Sequence, residues 1–146
     1  MICVDASLAA KWIFTEDYSE QALSLVTNCA RARQRVIAPP LLPIEVTNII
    51  RRRMLSESLT LADAHQFLTR FMAFPVSLRS PATLYEQALT IADTHNLPAV
   101  YDAHYVALAQ MVGCTLWTDD RRLLTALGGK LTFVKWIGDY VAGEPL

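Results

Sequence analysis

Four acidic residues of the chain are embedded in apolar sequence, which sets them apart from its other acids. Asp5 stands in Cys-Val-Asp-Ala, Glu45 in Pro-Ile-Glu-Val and Asp102 in Val-Tyr-Asp-Ala, and Asp120 follows the apolar segment 114–117 closely. Charged carboxylates seldom occupy such surroundings without a partner. If the four converge, their mutual repulsion raises their pKa values and destabilises the fold until a cation neutralises them.

A divalent metal ion is the partner that such a cluster indicates, and the ligand type narrows its identity. Ligation by oxygen alone suits Mg²⁺ or Mn²⁺, whereas zinc favours His or Cys, which these segments do not offer in ligand spacing. One or two such ions generate a nucleophilic water and stabilise a leaving oxygen, so the cluster predicts phosphodiester hydrolysis. Ser7 and Thr118 stand near the acids in sequence and are candidates for orienting a water or a phosphate oxygen.

The elements that must position these acids follow from the alternation of short apolar runs with amphipathic stretches. Helices are predicted between five strand candidates, among them 6–14, a helix from residue 41 or 42 to about 56, Tyr101–Val112 and 119–127. Strands separated by helices form parallel crossovers, which predicts a three-layer α/β/α domain over residues 1–146 with a mostly parallel sheet of four to five strands. The strand candidates are Ile2–Val4, Val36–Ala38, Val76–Leu78, 114–117 and 131–134.

Placed on these elements, the acids all fall near the carboxyl ends of strands, where open parallel sheets bind their ligands. Asp5 ends the first strand and Asp120 follows the fourth. Glu45 lies in the first turns of its helix, because Pro43 is tolerated only at a helix start, and Asp102 begins another helix. We therefore expect the four carboxylates at one edge of the sheet.

Composition excludes several classes of protein. With 146 residues, 53% hydrophobic, the chain is large enough for one full core, and a net charge of −1 provides no general attraction for nucleic acid. Its three cysteines are far apart and lack CxxC spacing, which argues against a disulfide framework or a zinc site. No window reaches the ~18 apolar residues of a membrane span, and no basic segment precedes the first apolar run, so we expect no membrane association and a cytoplasmic location.

Four segments, in this order, resemble the motifs of PIN-domain ribonucleases, specifically VapC-type toxins of type II toxin-antitoxin systems. The resemblance implies an endoribonuclease that depends on Mg²⁺ or Mn²⁺, forms a homodimer, acts on RNA and is inhibited by a small antitoxin encoded beside it. It also implies that Asp5, Glu45, Asp102 and Asp120 are the catalytic, metal-binding acids. The segments are Val4-Asp5-Ala6-Ser7, Pro43-Ile44-Glu45, Tyr101-Asp102-Ala103-His104-Tyr105-Val106-Ala107-Leu108-Ala109 and Thr118-Asp119-Asp120-Arg121-Arg122-Leu123, and the similarity extends from Met1 to about Val134.

The last motif contains two adjacent carboxylates, and both remain candidates for the fourth acid. The family's acid stands two residues after the Thr, which favours Asp120, and leaves Asp119 as an extra acid or as the N-cap of the following helix. Arg121 and Arg122 lie beside these acids and are the better candidates for contact with substrate. The three arginines 51–53 are interpreted instead as the solvated end of a helix.

Other functions for a small α/β fold agree less well with the sequence. A receiver domain needs an acidic pair near the first strand and an Asp after the third, but Asp5 stands alone and Arg79 follows the third strand. A phosphatase with an aspartyl nucleophile needs DxD where the chain has Asp5-Ala6-Ser7, and the glycine motifs of nucleotide-binding folds are missing. The remaining alternative is a catalytically silent PIN fold that only binds protein or RNA, and the four retained acids argue against it.

Overall fold

Five parallel strands form the centre of the structure, a computed structural model that describes residues 1–142. Helices flank this sheet as outer layers, which confirms the predicted three-layer α/β/α architecture. In chain order the elements are β1 (Ile2–Val4), α1 (Ala6–Ala10), α2 (Ser19–Arg31), β2 (Val36–Ala38), α3 (Leu42–Glu57), α4 (Leu61–Met72), β3 (Val76–Leu78), α5 (Leu84–Thr94), α6 (Tyr101–Val112), β4 (Thr115–Thr118), α7 (Arg121–Leu127), β5 (Val134–Trp136) and a 3₁₀ turn (Ile137–Asp139).

The strand order β3-β2-β1-β4-β5 places the two acid-bearing strand ends side by side. The chain moves outward from β1 through β2 to β3 and then returns to the other side of β1 with β4, where Val4 pairs with Trp117. This reversal makes the carboxyl ends of β1 and β4 a topological switch point, the place where open α/β sheets form a ligand crevice.

Burial explains why the central strands could be recognised from their composition. Every residue of β1 and β2 is buried, as a strand covered on both faces requires. Helix α6 packs on β1 and β4 and contributes buried residues between Ala103 and Ala109, including Tyr105 at 1% exposure. No helix within residues 1–142 has the length and apolar character needed to cross a membrane.

Three strands and α6 have the predicted bounds, whereas the elements around the last motif differ. Strand β4 is Thr115–Thr118 rather than 114–117, and β5 begins at Val134 rather than at residue 131. The apolar run that suggested the earlier start is a turn, in which the Val134 N–H donates to the Leu131 carbonyl. Helix α7 begins at Arg121, two residues later than predicted, and α1 ends at Ala10 before a series of turns.

Candidate active site

Four helix amino termini carry the predicted acids. Asp5 is the N-cap of α1 and Asp120 is the N-cap of α7, while Glu45 and Asp102 lie in the first turns of α3 and α6. The partial positive charge at a helix amino terminus stabilises a carboxylate there, so each acid has a favourable local position. We call these four residues the acid quartet.

A single cavity of about 220 Å³ brings the acid quartet together. The structure thus places all four predicted acids around one space at the switch point of the sheet. The other residues that line it are Ala6, Ser7, Asn48, Ile49, Arg52 and Tyr105.

Asp5 is the most deeply buried member of the acid quartet, at 3% exposure, and its carboxylate is held by three donors. Its Oδ1 accepts hydrogen bonds from the Leu8 backbone N–H at 2.9 Å and from the Ser7 hydroxyl at 2.7 Å. Its Oδ2 accepts one from the Thr118 hydroxyl. The same Thr118 oxygen accepts the Asp120 N–H at 2.8 Å, so one hydroxyl connects two of the acids. Ser7 and Thr118 therefore orient a carboxylate in this structure.

The other three members are held in different ways. Glu45 accepts a hydrogen bond from the hydroxyl of Tyr105, one turn along α6 from Asp102. Asp120 Oδ1 accepts from the first backbone N–H groups of α7, those of Arg122 at 2.8 Å and Leu123 at 3.1 Å. Asp102 lines the cavity, and its carboxylate makes no side-chain hydrogen bond within the part of the chain that the structure describes.

The electrostatics indicate that the carboxylates act on one another. Burial raises the pKa of Asp5 to about 7, with a smaller contribution from the charge of Asp102 and against the lowering effect of its hydrogen bonds. Burial, then Asp102, also raises the pKa of Glu45, although the Tyr105 hydrogen bond opposes this. The pKa of Asp102 is raised by burial and by the charge of Asp120. The acid quartet therefore concentrates negative charge around the cavity, and its members repel one another.

Asp119, the extra acid of the last motif, lies outside the residues that line the cavity. Its Oδ2 forms an ion pair with Lys11 Nζ at 2.8 Å, and its Oδ1 accepts from Trp136 Nε1 at 2.9 Å. The prediction that Asp119 caps the next helix is wrong, since Asp120 is the N-cap. The carboxylate of Asp119 is committed instead to side chains from distant parts of the chain.

The basic residues near the site are arranged differently from the sequence interpretation. The guanidinium of Arg121 lies 3.6 Å from the centre of the Trp136 ring and outside the cavity. Arg52, which the sequence pattern assigns to a solvated helix end, is the one cation among the described residues that line the cavity. Asn48 and Arg52 follow Glu45 on α3 at positions i+3 and i+7 and therefore share its helix face. This spacing is the sequence signal that identifies both residues.

A hard divalent cation suits this donor set. The acid quartet offers only oxygen atoms, and none of its members forms an ion pair within residues 1–142. Over the same range, no three His, Cys, Asp or Glu side chains are grouped tightly enough to form a preassembled site. The carboxylates thus surround the cavity, and a cation between them would relieve the repulsion that raises their pKa values.

Comparisons with known proteins concern the chain as a whole. A family model described as the PIN domain matches residues 2–128. A VapC ribonuclease of Mycobacterium bovis is 32% identical over 123 residues, which are 84% of this chain and 88% of that protein. Ribonuclease VapC3 of Pyrobaculum aerophilum is 32% identical over 124 residues, 84% of this chain and 91% of that protein. The crystal structure of PAE2754 from Pyrobaculum aerophilum is similar in fold, with a TM-score of 0.66 and 23% identity over 94% of this chain and 90% of that one.

Proposed function

The chain belongs to the PIN-domain family and is a VapC-type ribonuclease toxin, and we propose that its acid quartet holds the Mg²⁺ or Mn²⁺ with which it hydrolyses RNA phosphodiester bonds. Nucleases of this family generally depend on a divalent metal. The observation that carries the proposal is the convergence of four carboxylates on one cavity, three of them with raised pKa values. When bound, such an ion supplies a nucleophilic water at neutral pH and stabilises the charge that develops on the phosphate and the leaving oxygen.

The protein's own residues have separate tasks in this reaction. Asp5 is held rigid by its three donors, and Tyr105 keeps Glu45 turned toward the cavity. Asp120 uses Oδ1 to cap α7, which leaves Oδ2 available as a ligand. Each of these three carboxylates is thus oriented individually, which reduces the reorganisation required of it when substrate binds.

Substrate recognition is proposed for the polar groups of α3. The guanidinium of Arg52 can donate two parallel hydrogen bonds to phosphate oxygens, a geometry that arginine provides and lysine does not. Asn48, which also lines the cavity, adds an amide donor one turn before it. Contacts of this kind position the phosphodiester backbone without specifying a base sequence.

The proposed partners follow from the family. VapC toxins pair with antitoxins and act on RNA, so we assign to this chain an RNA substrate and a small cognate antitoxin. The homodimeric state is proposed on the family resemblance alone. Since RNA and a co-expressed antitoxin are cytoplasmic, we assign the same location to this protein.

The test is cleavage of a mixed cellular RNA panel by purified protein free of antitoxin, with Mg²⁺, with Mn²⁺ and with EDTA. Asp102→Asn is the informative variant, because this side chain faces the cavity and makes no hydrogen bond in the described part of the chain. Asp93→Asn, at an exposed position of α5, is the matched control. We expect discrete products that require metal, persist in Asp93→Asn and disappear in Asp102→Asn.

Either of two results would contradict the proposal. Products that form equally in EDTA would remove the metal from the mechanism. A silent binding module would be favoured if wild type and Asp102→Asn are equally inert on every RNA with either metal. Circular dichroism must then show that both proteins are folded.

A further inference from the structure

Lys11 follows the last residue of α1 and is buried, at 4% exposure. Its Nζ lies 2.8 Å from Asp119 Oδ2 and 3.0 Å from Glu16 Oε1, and it donates to the Asp17 carbonyl at 2.7 Å. These three acceptors use all three N–H donors of the ammonium group. Burial lowers the pKa of Lys11, but the hydrogen bonds and the negative charges of Asp119 and Glu16 together raise it more, so the side chain stays charged.

The residue that Lys11 holds, Asp119, is also fixed from two other directions. Its second carboxylate oxygen accepts from Trp136 Nε1 at 2.9 Å, and its backbone N–H donates to Ser7 Oγ at 2.9 Å. Asp119 is thus attached to the end of α1, to β5 and to the first turn of α1. Because Asp120 is its neighbour in the chain, these attachments also determine where the acid quartet receives its fourth carboxylate.

The Trp136 side chain that completes this arrangement is itself closely packed. A Cβ on Gly138 would lie only 2.2 Å from its ring, so glycine is required there. Tyr18 contacts the ring edge-on, with centroids 4.9 Å apart, and Arg121 covers the ring at 3.6 Å. The indole N–H is therefore a fixed donor, and Asp119 is held between two rigid groups.

Neither Lys11 nor Asp119 lines the cavity, and the side chains of both are committed to one another and to other protein groups. We propose that Lys11 is a positioning residue, whose ion pair with Asp119 fixes the loop from Thr118 to Asp120 and thereby the carboxylate of Asp120. This role rests on the proposed metal-dependent function. Groups that orient ligands from outside a metal site typically contribute 10- to 100-fold to metal affinity.

The experiment measures metal binding without RNA, as the rise in Tm during titration with Mn²⁺. Lys11→Met keeps the aliphatic stem and removes the ammonium, while Glu16 retains its ion pair with Arg53. Asp119→Asn keeps the volume and an acceptor for Trp136. Leu25→Ala, in the core on α2, is the control for lost stability alone.

We expect Lys11→Met and Asp119→Asn each to raise the half-saturating Mn²⁺ concentration about tenfold or more. The double variant should be no worse than either single variant, because both remove the same pair. Leu25→Ala should lower Tm and leave the half-saturating concentration unchanged. If Lys11→Met does not fold, Asp119→Asn decides the question alone.

The outcomes separate this role from the metal site itself. Variants that lose Tm but bind Mn²⁺ as wild type does would show that the ion pair is only structural. A wild-type protein that does not respond to Mn²⁺ at all would overturn the metal assignment, and the positioning role with it.

Discussion

In the absence of metal, the domain should become less stable as pH rises from about 4 to about 7, mainly because of Asp5. Its carboxyl group has a pKa of about 7 in the folded protein and an ordinary value of 3.8 in the unfolded chain. Between these values the folded state keeps a proton that the unfolded state has released. The stabilisation is complete below the unfolded pKa and is lost as pH rises through the folded pKa.

The magnitude follows from the two pKa values. Their separation corresponds to about 4 kcal/mol over the full range, since a tenfold change in a protonation equilibrium is worth about 1.4 kcal/mol. Between about pH 4.5 and about pH 8, where the measurement is practical, about 3 kcal/mol of this change should be observed. For a chain of this size the change corresponds to roughly 10 °C in Tm.

The assay compares the thermal unfolding of wild type and Asp5→Asn in EDTA across this pH range. The difference between their curves isolates Asp5, because both proteins retain Glu45 and Asp102. The Asn side chain still accepts the Leu8 N–H, and its amide can donate to a Thr118 hydroxyl that turns its proton away. The variant should therefore become progressively more stable than wild type as pH rises.

Parallel unfolding curves from about pH 4.5 to about pH 8 would refute this reasoning, because they would mean that Asp5 titrates as an ordinary carboxyl group. Asp93→Asn, which changes an exposed acid, should give such a parallel curve. Addition of Mn²⁺ above pH 7 should restore stability to wild type but not to Asp5→Asn, since a ligand of the folded state stabilises only where it binds.

Two further predictions concern residues that line the cavity. Arg52→Gln should raise KM for RNA about tenfold with little change in kcat, because it removes a charge-assisted hydrogen bond to phosphate. The control Arg51→Gln, at an exposed position outside the cavity, should leave KM unchanged. Equal effects of the two substitutions would refute a specific contact. Tyr105→Phe removes a hydrogen bond that lowers the pKa of Glu45, so protons should compete with metal at higher pH. The ratio of half-saturating Mn²⁺ at pH 6 to that at pH 8 should exceed the wild-type ratio, and an unchanged ratio would contradict this role for Tyr105.

The sequence alone was sufficient to predict the central sheet, because burial on both faces has a direct compositional signal. Ile2–Val4 and Val36–Ala38 are short, fully buried apolar runs, and the structure confirms their bounds. It also confirms the bounds of the edge strand Val76–Leu78, although two of its three residues are exposed and so lack this signal. At the edge strand β5 the apolar composition gave a strand start three residues too early. Residues 131–133 are apolar or β-branched but form a turn, and pairing with β4 sets the strand at Val134–Trp136.

The site was less predictable wherever a side chain is committed by a partner far away in sequence. The local pattern of Thr118-Asp119-Asp120 offers two carboxylates and one helix start. What distinguishes them is Lys11, more than a hundred residues earlier, and Trp136 on the neighbouring strand. Spacing within a motif contains no information on such partners, whereas the helical spacing on α3 does indicate that Arg52 shares a face with Glu45.

A structural role for an acid does not exclude a role in metal binding. Asp5 and Asp120 both cap helices. Helix capping is the ordinary explanation for a single Asp at the end of a strand. An Asp that only caps a helix can remain exposed to solvent. Asp5 is instead almost fully buried, and the charge of Asp102 raises its pKa. A cap alone would not require a second carboxylate from α6 to approach it. The approach destabilises the metal-free fold, and the cation that we propose between the acids would reverse that effect.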